Sequence, residues 1–167
     1  MHKTPLILTL VLWILGGALW AAQLTKPRPA AKLRSACELI TKAEIEQATG
    51  TPVSAGFQHK DEKANAESCA FKQDEHDTVG VLITRSNDKR DLSVLVAKTK
   101  EALPEAKVRE LPGLGQKAIL ADDPKIGTML SVYRGGDALV VSVTLTGKGV
   151  TADAAAETIA RKAFKRF

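Results

Sequence analysis

The stretch CELITKAEIEQATG, residues 37–50, is where several independent local signals agree on one structure. The order Thr41-Lys42-Ala43-Glu44 is a capping box. The Thr41 hydroxyl accepts from the Glu44 N–H, while the Glu44 carboxylate reaches back to the N–H of Thr41. Ile40 before the cap and Ile45 after it form a hydrophobic staple, and Gly50 supplies a left-handed stop. A short helix with defined ends is predicted. Cys37, one of two cysteines in the chain, lies just upstream, which makes the start of this helix a candidate covalent anchor point.

Outward from that helix, extended and helical segments follow in order. Pro52–His59 alternates weakly as a strand, Lys60–Glu67 reads as a polar loop, and Ser68–Lys72 places Cys69 and Phe71 on one face by period two. Thr78–Ser86, rich in Val, Ile and Thr, is the clearest strand of the first half. Asp88 is placed to cap a helix running to about Leu103, with Leu92, Leu95, Val96, Thr99 and Leu103 on one side and Pro104 as its stop. Lys107–Leu111 and Gln116–Ala121 are extended segments broken by Pro112-Gly113-Leu114-Gly115. Thr128–Arg134 and Ala138–Thr146 form the best hairpin in the chain, because Gly135-Gly136 supplies positive φ angles between two alternating runs. From Thr151 a last helix gathers Ala156, Ile159, Ala160, Ala163, Phe164 and Phe167 on one face, with Arg161, Lys162, Lys165 and Arg166 on the other. The expectation is an α+β fold whose mostly antiparallel sheet has about six strands, in two helix-plus-three-strand halves with flanking helices.

Ahead of this body, Pro5–Ala22 runs for 18 residues without a charge, at the lower edge of what spans a bilayer. A cleaved signal would need small residues at both critical positions, and Trp20 obstructs that pattern. Trp13 and Trp20 suit a retained anchor better. Residues 1–22 are therefore read as an N-terminal membrane anchor, with a signal segment as the alternative, and the cytoplasmic membrane as its partner. Residues 23–36, with Pro27 and Pro29 and no periodicity, read as a basic tether.

The formal charge of +5 comes from this leading part. Its first 36 residues hold Lys3, Lys26, Arg28, Lys32 and Arg34 and no acid, so 19 basic residues face 19 acidic ones thereafter. The folded part is neutral and carries no basic stripe interleaved with aromatics, which argues against a nucleic-acid partner. Four basic residues following the apolar run favour a cytoplasmic C-terminal side by the positive-inside tendency. The cysteines pull the other way, although two buried thiols in a reducing compartment would also be unremarkable.

Few residues carry candidate chemistry. His59 and the cluster Asp74-Glu75-His76-Asp77 hold metal-type ligands, but an acidic polar loop is ordinarily solvated, so no metal and no cofactor is expected. No G-x-S-x-G is present, and Gly113-Leu114-Gly115 lacks the third glycine of a dinucleotide fingerprint, so it reads as a sharp turn. The basic face from Arg161 to Arg166 reads as solvated.

Together, Cys37-Glu-Leu-Ile-Thr-Lys-Ala-Glu44, Ser68-Cys69-Ala-Phe71 and Leu111-Pro-Gly-Leu-Gly-Gln-Lys-Ala118 resemble a broad group of bacterial secreted or lipoprotein domains of unknown function. Related domains include extracellular sensor domains of receptor kinases, several with a PsbP-like α/β/α sandwich. The resemblance covers residues 37–167. It implies that Cys37 and Cys69 are paired and that the domain lies outside the cytoplasm, periplasmic or extracellular. It implies no enzyme activity. The chain departs from the lipoprotein members in lacking a lipobox. The function expected is a membrane-tethered, non-catalytic binding, sensor or accessory domain. A structural subunit bound to another membrane or envelope protein is the alternative, and a secreted enzyme is third.

Overall fold

A computed structural model of the chain describes residues 34–73, 78–87, 92–144 and 146–167. The anchor or signal segment, the tether as far as residue 33, the Asp74-Glu75-His76-Asp77 cluster and the Asp88 cap lie outside the described residues. No helix among the described residues is long and apolar enough to cross a membrane.

Helix α1, Lys42–Thr49, begins and ends where its sequence signals place it. Thr41 Oγ1 accepts from the Glu44 N–H at 3.3 Å, and Glu44 Oε2 accepts from the Thr41 N–H at 2.9 Å. Gly50 adopts φ 69°, and its N–H closes the last turn on the Glu46 carbonyl. Ile40 and Ile45 are both buried in the core.

Seven antiparallel strands form one sheet: β1 Phe57–Asp61, β2 Ala66–Gln73, β3 Thr78–Asn87, β4 Lys107–Glu110, β5 Lys117–Asp123, β6 Gly127–Arg134 and β7 Asp137–Val143. Their order across the sheet is β1-β2-β3-β7-β6-β5-β4. Two meanders, β1–β3 and β4–β7, thus lie side by side, joined where β3 pairs with β7. The second meander has four strands where about three were expected, because both extended segments flanking Pro112–Gly115 pair as separate strands.

The first strand also differs from the sequence reading. Val53 makes only an isolated bridge to Gln73, and continuous pairing starts at Phe57, after Gly56. The predicted loop Lys60–Glu67 is mostly hairpin. Its turn is held by Asp61, whose Oδ1 accepts from the N–H groups of Lys63 and Ala64, with Asn65 at φ 46°. Polar residues pair here because an edge hairpin has water on its open sides, so no apolar alternation is required of it.

One face of the sheet carries the core. Cys69, Phe71, Val81, Ile83, Leu120, Leu130, Val132, Leu139, Val141 and Val143 lie under α1 and the last helix, α3, Ala152–Phe164. Ala155, Ala156, Ala160 and Ala163 are buried around Ile159 in α3. These short side chains let the helix approach β6 and β7 closely, with Phe164 and Phe167 closing the edge. Helix α2, Leu92–Ala102, sits in the connection from β3 to β4, which spans the width of β7, β6 and β5. Val96, Thr99 and Leu103 are its half-buried positions, on the predicted side.

Because Thr41 closes the first turn of the helix that sits against α3, Thr41→Ala is expected to lower unfolding free energy by about 1 kcal/mol. Urea denaturation of the full chain followed by circular dichroism checks this, with the slope of the transition unchanged.

Candidate functional site

Residues 34–38 form a strap laid across the ends of β2 and β3. The Ser35 N–H donates to Glu38 Oε2 at 2.7 Å, which shapes a single 3₁₀ turn over Ala36–Glu38. From that turn three attachments reach the sheet. The Ala36 N–H donates to Glu67 Oε1 at 3.0 Å, the Arg34 carbonyl accepts from Arg85 Nη1 at 2.9 Å, and Cys37 is disulfide-bonded to Cys69. The two cysteines singled out in the sequence are therefore joined. Gly56 runs directly over the bridge, since a Cβ there would stand 2.5 Å from Cys69 Sγ.

Beside the strap, the β1–β2 turn, the end of β3 and the start of β7 enclose an open cleft of about 320 Å³. Register brings Lys60, Glu67 and Arg85 into one row across β1, β2 and β3. Asp61, Glu62 and Asp137 add carboxylates to the walls. Glu67 Oε1 also accepts from Gln58 Nε2 at 2.7 Å, and Asp137 Oδ1 accepts from Asn87 Nδ2 at 2.9 Å. None of these residues was marked by sequence reasoning. The signal available was the mixed charge of Lys60-Asp61-Glu62, which has no meaning until the hairpin brings Lys60 into a row with Glu67 and Arg85.

Elsewhere the structure disperses the candidates. His59 is exposed on β1, and among the described residues no three His, Cys, Asp or Glu side chains converge as metal ligands. Gly113 and Gly115 both take positive φ, 71° and 65°, in the turn between β4 and β5. The basic face of α3 is less free than the solvated reading implies. Arg161 pairs with Glu157, Lys162 Nζ donates to Gln47 Oε1 at 2.8 Å, and Arg166 grips Glu44 through both Nη atoms at 2.7 and 2.8 Å. Arg166 Nη1 also donates to the Leu39 carbonyl. Arg134 lies 4.9 and 5.0 Å from the ring centroids of Phe164 and Phe167, a cation–π contact at the same helix end.

The Arg166 fork pulls the Glu44 pKa from 4.5 down to about 2, helped by the Thr41 N–H. Matched against models of known families and against curated proteins, the chain finds no counterpart in either.

Two outcomes follow from this geometry. Stability contributed by ionised Glu44 is complete above pH 4.5 and is lost as pH falls toward 2. Glu44→Gln is expected to remove about 1–2 kcal/mol of that acid-side dependence, less than the unscreened shift implies because both partners touch water. Urea midpoints from pH 7 to pH 2 for both proteins measure it. Cys37→Ser with Cys69→Ser opens a loop with a sequence separation of 32 and is expected to cost about 3–4 kcal/mol, read from the same titrations at neutral pH.

Proposed function

We propose that this chain is a membrane-tethered binding module held outside the cytoplasm, acting as a sensor or accessory domain and not as an enzyme. The observation that carries the reading is the Cys37–Cys69 bond, which ties the strap to the centre of β2. A bond of this kind persists in oxidising compartments and is rare in the cytosol. The sequence resemblance to secreted and lipoprotein domains supports the same compartment.

Tethering draws on the uncharged run Pro5–Ala22 and the basic residues that follow it. The strap suits such an arrangement, because the first described residues are fastened to the sheet by side chains of β2 and β3 as well as by the bridge. Any pull from upstream meets the sheet before it meets α1. The binding reading draws on the cleft beside the strap, whose walls hold charges of both signs. A structural subunit has less support, since the large apolar side chains exposed among the described residues sit on different elements, Phe57 on β1, Val94 on α2 and Ile126 in the β5–β6 turn, with three strands between β1 and β6.

Alkaline phosphatase fused after Phe167 of the full chain is expected to be active in cells, and carbonate extraction is expected to leave the chain in the membrane pellet. An inactive fusion removes export. An active fusion recovered in the soluble fraction, with an N-terminus beyond Ala22, removes the anchor.

A further inference from the structure

The cleft beside the strap has a charge arrangement that its own residues leave unresolved. Lys60 and Arg85 flank Glu67 across three strands, yet neither forms an ion pair within 4.0 Å with Glu67, Asp61, Glu62 or Asp137. Three of the four carboxylates are engaged otherwise. Glu67 holds the Ala36 N–H and Gln58, Asp61 holds its own turn, and Asp137 holds Asn87. Arg85 spends one Nη on the Arg34 carbonyl. Opposite charges therefore share a cleft without neutralising one another.

A ligand with one charge meets both an attractive and a repulsive wall here. A simple anion faces four carboxylates, and a simple cation faces Lys60 and Arg85. A ligand carrying both signs satisfies the two sets at once, its carboxylate toward Lys60 and Arg85 and its ammonium toward Asp61, Glu62 and Asp137. The volume, about 320 Å³, stands at the small end of ligand pockets. No aromatic ring among the described residues lines the cleft, which leaves a nucleobase no aromatic face to stack on.

We propose that this cleft binds a small ammonium–carboxylate zwitterion of amino-acid or dipeptide size. The proposal deepens the binding reading above and rests on it. Glu67 and Arg85 serve both the cleft and the strap, so occupancy is coupled to the point where the chain enters the fold.

Glycylglycine is the probe, titrated into the full chain in detergent by calorimetry and by amide NMR, with acetate and methylammonium as its single-charge halves. Saturable binding is expected, about tenfold tighter than either half, with shifts confined to residues 60–67, 85–87, Asp137 and the Ala36 amide. Arg85→Gln and Asp137→Asn are each expected to weaken it about tenfold. Because Arg85 also holds the strap, Lys60→Gln is the second variant, an exposed side chain without an ion pair among the described residues, and it is expected to weaken binding several-fold with the spectrum otherwise intact. No saturable change up to about 50 mM, equal binding of the halves, or unchanged affinity in Lys60→Gln overturns the proposal. Export and anchoring are read separately in cells, so an exported, anchored chain that ignores glycylglycine overturns the ligand assignment alone.

Discussion

The bond between Cys37 and Cys69 fixes the first described residues to the sheet. Upstream of Cys37 the described chain is hydrogen-bonded to the sheet at two points, from the Ala36 N–H to Glu67 and from Arg85 to the Arg34 carbonyl, whereas downstream Leu39 and Ile40 are buried and Arg166 donates to the Leu39 carbonyl. Such bonds contribute about 1 kcal/mol each, somewhat more where an ionised group takes part. The bridge converts that weak seam into a fixed point, and its buried surroundings include Phe71 and Ile83 of the core. Gly56 lies so close above Cys69 that a side chain there would collide with the sulfur. The stretch from Val53 to Phe57, which leads into the edge strand, is in this way shaped by the same bond.

A second fastening holds the other end of the described chain. Glu44 serves two structures with one carboxylate: it completes the cap of α1 and receives the Arg166 fork from just beyond α3. Lys162 reaches Gln47 one turn further along. Helix α1 is only eight residues long, too short to persist by propensity, so these contacts and the burial of Ile45 are what keep it in place. The two fastenings meet at the segment Cys37–Glu44, which the bridge holds from the sheet side and Arg166 from the helix side.

How much of this was legible in the sequence depends on distance along the chain. The cap at Thr41, the stop at Gly50 and the Gly135-Gly136 hairpin were read correctly, because each needs only residues within a few positions of one another. The helical face of α3 was likewise carried by spacing. What depended on topology was not legible. Nothing local says that β7 inserts between β3 and β6, and that insertion is what puts Asp137 opposite Asn87. Arg166 and Glu44 are 122 residues apart, and on the helix surface Arg166 looked like any solvated cation. The bridge partners stood out because cysteine is rare in this chain. The cleft did not, because Lys, Glu, Asp and Arg are common, and only the hairpin register gathers them.

The register also separates the sheet into two unlike ends. At one lie the β1–β2 and β6–β7 turns, the strap and the charged cleft. At the other lie the β5–β6 turn with Ile126, 54% exposed, and the start of β1 with Phe57, 66% exposed. The chain enters the fold at the charged end, and the side chains that receive it, Glu67 and Arg85, are also walls of the cleft. A change of charge within the cleft acts first on those two residues, and through them on Arg34 and on Ala36, whose side chain is buried in the core. The bridge bounds that effect, because Cys37 is covalently held to Cys69 whatever happens to the two hydrogen bonds.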